Sequence, residues 1–72
     1  MMYADEIRKT ILTIAEEHGT ENSFEPSDVA RKMDKENWRG LLQQVNMVAD
    51  VLIREGKIII ETSGGTPRFK KI

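Results

Sequence analysis

One stretch limits what this chain can fold into: Asp34 to Gly56, DKENWRGLLQQVNMVADVLIREG. It is the longest run of helical periodicity in the sequence. Leu41, Leu42, Val45, Val48, Ala49, Leu52 and Ile53 fall on one arc of a helical wheel. Gln43, Met47, Asp50 and Arg54 fall on the opposite arc, flanked by Gln44, Asn46 and Val51. A helix with one apolar face must bury that face against something, and the segments on either side are what it has to work with.

The preceding segments read as two shorter helices. Ile7, Ile11, Ile14, Ala15 and His18 recur at spacings of three and four, which predicts a helix from about Ala4 to His18 closed by Gly19. GTENS is a polar turn, and Ser23-Phe24 reads as a short extended piece with Phe24 a core anchor. Pro26 fits the first position of a second helix, with Ser27 and Asp28 in its first turn and Val29, Ala30 and Met33 on its buried side. Asp34 is placed to cap the next helical segment. Gly40 weakens a helix by about 1 kcal/mol relative to alanine. A short helical turn over residues 35 to 40, a bend, and a main helix from about Leu41 to Glu55 are therefore expected, with one continuous helix as the alternative.

After the long helix the periodicity changes. Gly56 suits a left-handed helix end. KIIIET is β-branched and reads as a strand, SGGT is a turn, and PRFKKI is a return strand that tolerates Pro67 at its start. Ile58 and Ile60 are expected to face the core with Phe69 or Ile72. The order is helix, short helix, longer helix, hairpin. It defines an α+β winged helix-turn-helix: three main helices with a short extra turn before the third, then a C-terminal wing. Residues 1 to 72 make one domain.

Composition narrows the function. A chain of 72 residues buries roughly 60% of its unfolded surface, so its core is small. With no cysteine it has neither a disulfide framework nor a thiolate metal site. The start, MMYADEIRKT, lacks the apolar core of a signal peptide, and no apolar run approaches the ~20 residues of a membrane span. A cytoplasmic protein without a membrane partner is expected. His18 is the one histidine and sits where a helix end favours a cation. No paired carboxylates share a face, and Gly64-Gly65 precedes no helix that could cradle a nucleotide. No enzyme, cofactor, metal or small-molecule ligand is indicated.

The net charge is −1, but it is unevenly spread. Residues 1 to 29 carry two basic and seven acidic groups, a net −5, whereas residues 30 to 72 carry nine basic and five acidic, a net +4. The basic excess falls on the long helix and the wing, which suits phosphate contact. Gln43, Gln44, Asn46 and Met47 are the candidate base readers, since amides match adenine edges in the major groove and a recognition helix reads with its first half. Arg31, Lys35, Arg39, Lys57, Arg68, Lys70 and Lys71 are the candidate phosphate contacts. The plainer readings are that amides solvate an outer face and that lysines protect an edge strand from aggregation. Trp38 and Phe69 read as core residues.

The string Phe24-Glu25-Pro26-Ser27-Asp28-Val29-Ala30-Arg31, with Trp38-Arg39, Gly56-Lys57-Ile58 and Pro67-Arg68-Phe69, resembles a small and mainly bacterial winged-helix family. That family is catalogued only as a domain of unknown function. The likeness runs from about Ile7 to the end of the chain. It departs from the pattern where Gln43 or Gln44 replaces a proline at the main helix and where the wing tip is short. The resemblance implies the winged-helix fold, and it implies DNA binding, and with it a small transcriptional regulator, by analogy only. The alternative is a protein-interaction or homodimer module that uses Met47, Val51 and Trp38 and binds no nucleic acid.

Overall fold

The computed structural model describes residues 2–72. Three helices, α1 (Met2–His18), α2 (Pro26–Met33) and α3 (Leu42–Arg54), are followed by a hairpin of β1 (Ile58–Ser63) and β2 (Thr66–Lys71). A 3₁₀ turn, Trp38–Leu41, leads into α3. This is a winged-helix layout of α+β class, with the expected order; in place of the expected bend, the 3₁₀ turn that contains Gly40 runs directly into α3.

The predicted apolar faces meet in one core. Ile7, Ile11, Ile14 and Ala15 come from α1, Val29 and Ala30 from α2, and Val45, Ala49 and Leu52 from α3. Phe24, Ile58 and Phe69 close it from the wing side. Trp38, Leu41, Leu42 and Met33 pack around its margin, half-buried.

The start of α2 is held by its own side chains. The Glu25 N–H donates to Asp28 Oδ2 at 2.9 Å, satisfying a donor that the helix cannot. Asp34 closes the other end of the helix-turn-helix connection. Its Oδ1 accepts the N–H groups of Glu36 and Asn37, both at 3.1 Å, so it organises the turn and not a helix N-terminus. Gly56 ends α3 with φ +77°, as an αL glycine should.

The wing is pinned to the helices by a third, minimal strand. Phe24 pairs antiparallel with Phe69, each N–H donating to the other's carbonyl at 2.8 and 2.7 Å. Their rings meet edge-on at 5.9 Å, and the His18 ring lies 5.6 Å from Phe24. β1 and β2 are in register with Ile60 opposite Phe69 and Ser63 opposite Thr66, around Gly64 and Gly65 at φ +62° and +83°. Two positive φ angles are what a type I′ hairpin turn demands. Since Phe69 directs its N–H and C=O at Phe24, the alternation of an antiparallel ladder directs Arg68 and Lys70 at β1. Pro67 falls at a position facing away from β1, where its missing N–H breaks no rung.

The expectation for the hairpin core holds in part. Ile58 is buried, and of Phe69 and Ile72 it is Phe69 that joins it, but Ile60 is 50% exposed. Ile60 lies opposite Phe69, and so on the core-facing side of the pleat. The alternation that gives its face does not give it cover.

Two carboxyls are held below their usual range. Hydrogen bonds from Asn37 and Glu36 backbone N–H groups lower Asp34. The hydrogen bond from Arg8, at 2.6 Å between α1 and the end of α3, lowers Glu55. A lowered carboxyl adds stability above the ordinary range near pH 4, and loses it as pH falls through the depressed value. Urea unfolding is therefore expected to show a stability decline below about pH 4. Asp34→Asn or Glu55→Gln should lower stability at pH 7 and flatten that acid limb. An acid limb unchanged in both variants would refute the assignment.

Candidate nucleic-acid interface

The exposed stripe of α3 carries Gln43, Asn46, Met47, Asp50, Val51 and Arg54. Met47 is 63% exposed and Val51 43%, which is unusual for apolar side chains on a helix that otherwise segregates cleanly. Gln44 is different. It is half-buried, and its Oε1 is sealed from solvent without a hydrogen-bond partner. Of the four sequence-predicted base readers, Gln43, Asn46 and Met47 stand on the open face and Gln44 stands at its edge. Asn46 also borders an open groove of about 240 Å³ lined by Glu25, Pro26, Ser27, Leu42 and Pro67.

Immediately before this stripe, two guanidiniums rest on one indole. The central carbon of Arg31 lies 4.4 Å, and that of Arg39 4.7 Å, from the Trp38 ring centroid. The π-face attracts each cation by about 0.5–1 kcal/mol at an exposed site, which offsets part of their mutual repulsion. Neither arginine has a carboxylate partner among the described residues. The nearby Asp34 carboxylate is directed at the backbone of its own turn. The result is a pair of oriented, unneutralised forks at the entry to α3, with Lys35 exposed in the turn between them. Planar guanidiniums of this kind suit bidentate contact with phosphate or carboxylate oxygens.

The wing cations are spent differently. Arg68 donates through Nε to Ser23 Oγ at 2.7 Å, through Nη1 to Glu25 Oε2 at 2.7 Å, and through Nη2 to the Ser23 carbonyl at 3.3 Å. It ties β2 to the residues that begin α2. Lys70 lies 3.5 Å from Glu61, and Lys71 lies 3.0 Å from Glu16 of α1. Of the sequence-predicted phosphate contacts, Arg31, Lys35, Arg39 and Lys57 have no intramolecular carboxylate partner among the described residues, and Arg68, Lys70 and Lys71 have one. Sequence reasoning placed Trp38 in the core and missed its part in holding the two arginines. The residues sit seven apart and one apart across a turn, so no helical spacing marks them.

No helix is long and apolar enough to cross a membrane, and no group of His, Cys, Asp and Glu among the described residues could hold a metal ion. A family model described as "Protein of unknown function (DUF3253)" matches residues 4–67. The chain belongs to that family. Comparison with curated proteins and with solved structures finds no match. Within the family's matched span lie the whole helix-turn-helix connection, α3 and the start of β2. The description assigns the family no activity.

Arg68 should behave as a structural residue and Arg39 as a surface one. Arg68→Ala is expected to cost about 1–3 kcal/mol, because it leaves charged and half-buried partners unpaired. Arg39→Ala should stay within about 0.5 kcal/mol of the parent. Denaturant midpoints of the two variants, measured side by side, test the distinction. Equal midpoints would remove it.

Proposed function

We propose that this domain binds duplex DNA, with the first half of α3 in the major groove. Gln43, Asn46 and Met47 would meet base edges, the amides hydrogen-bonding and the methionine contacting apolar groups such as the thymine methyl. Arg31, Lys35 and Arg39 would hold phosphates beside the helix entry, with Lys57 a further phosphate contact at the base of the wing. The observation that carries this reading is the pair of carboxylate-free guanidiniums stacked on Trp38, directly before an exposed amide-bearing stripe. An indole already covered by two arginines has little face left for an unpaired base, which favours a duplex over a single strand. A small cytoplasmic transcription regulator is the role this reading suggests.

Fluorescence anisotropy with a labelled mixed-sequence duplex, at several salt concentrations, tests it. Log K should fall linearly with log salt, and Arg31→Ala and Arg39→Ala should each weaken binding to all sequences and reduce the slope by about 1. Lys71→Ala, whose lysine already pairs with Glu16, should change the slope less. Gln43→Ala should alter sequence preference instead. Absence of binding at low salt, or binding indifferent to both arginines, refutes the reading.

A second reading is favoured by one observation, the exposure of Met47 and Val51. Together they present an apolar strip of the kind that meets a protein partner. Amide shifts confined to α3 on adding a protein, with none on adding duplex, would select it.

A further inference from the structure

We propose that β1 is a self-association edge, along which a second copy of this chain pairs antiparallel about a two-fold axis at Ile59. The fold treats the two edges of its small sheet unequally. The outer edge of β2 is occupied by Phe24, and Pro67 removes a donor from it. β1 is the more apolar strand, yet no strand among the described residues pairs with its outer edge. It contains no proline and pairs with β2 residue for residue without a bulge, so Glu61 is the one charge that marks this edge.

The ladder fixes which backbone groups are available. Phe69 turns its N–H and C=O to Phe24, so Ile59 and Glu61 bond to β2, and Ile58, Ile60 and Thr62 direct theirs outward. Beside those groups stand two exposed isoleucines, Ile59 at 41% and Ile60 at 50%. Ile60 is on the core-facing side, next in line after buried Ile58, whereas Ile59 is on the outer side.

The occupant is set by self-complementarity. An axis at Ile59 sets Ile58 opposite Ile60 of the second copy, joining their outward backbone groups. It brings Ile59 against its own counterpart at the closer, non-hydrogen-bonded spacing. By the same alternation Lys57, at the mouth of the strand, falls opposite Glu61 of the second copy, where it joins the carboxylate that already lies 3.5 Å from Lys70, and the arrangement occurs twice. Lys57 has no carboxylate partner among the described residues. An axis at Glu61 would instead oppose two carboxylates, and an axis at Ile60 would set Ile59 against Glu61. The charge pattern therefore selects the register at Ile59. This inference does not rest on nucleic-acid binding, and of the residues that reading uses it shares Lys57 alone.

Sedimentation equilibrium of the full chain up to about 1 mM tests it, since short interfaces associate weakly. The parent should dimerise, and the amides of Ile58 and Ile60 should gain exchange protection as concentration rises. Ile59→Lys changes an exposed residue and should leave the fold intact by circular dichroism while abolishing the dimer. Lys57→Glu should weaken it by about tenfold or more, because two attractive cross-strand pairs become repulsive. Combining Lys57→Glu with Glu61→Lys should restore part of it, because Glu61→Lys also removes the carboxylate that pairs with Lys70. A parent that stays monomeric at the highest concentration overturns the proposal. So does a dimer indifferent to Ile59→Lys, which would place the contact elsewhere, such as Met47 and Val51. Failure of the paired swap to restore association overturns the register.

Discussion

The rest of the molecule depends on two backbone hydrogen bonds between Phe24 and Phe69. A two-stranded hairpin is marginal in water on its own. This one becomes part of the domain because a single residue between α1 and α2 extends its ladder and buries an aromatic ring on each side of the bridge. The flanking residues reinforce the junction. Ser23 and Glu25 receive the guanidinium of Arg68, and the Glu25 N–H donates to Asp28 at the start of α2. Three consecutive residues thus fix the wing and the first helix of the helix-turn-helix in one frame. The far end of that frame is closed by Ile58, buried directly after the α3 cap.

Charge is used differently on the wing and in the turn before α3. The cations of β2 are drawn into pairs that fasten the wing to α1, to the α2 entry and to the neighbouring strand. The cations of the turn before α3 pair with no carboxylate among the described residues, and Asp34 is engaged by the turn's own N–H groups. Burial does not compel this arrangement, since Arg31, Lys35 and Arg39 are all exposed. An oriented pair of like charges on one aromatic ring raises the local potential, which attracts an anionic partner and works against a cationic one.

Much of the fold was legible in the sequence, for identifiable reasons. The helices announced themselves because each buries one face, so spacing alone found Ile7, Ile11 and Ile14, and likewise Val45, Ala49 and Leu52. Gly56 and the Gly64-Gly65 pair marked their turns because the backbone there has positive φ. The candidate site was legible only in part. Gln43 and Gln44 are neighbours of the same type, and only packing distinguishes the exposed one from the one at the core margin. Arg68 and Lys70 are two residues apart on one strand, and their environments differ through partners such as Ser23 and Glu25, more than forty residues away. Ile60 has the right face and no cover, because alternation fixes a face and not what packs over it.

Trp38 is the chain's single tryptophan, and it stands at the candidate interface and not at the centre of the core. The protein therefore carries an intrinsic optical probe where two arginines converge. Any ligand that draws Arg31 or Arg39 away from the ring alters the electrostatic surroundings of the indole without a label being attached. The emission of this chain accordingly records the state of one surface turn as well as the state of the fold, and a spectral change without loss of helix belongs to the former.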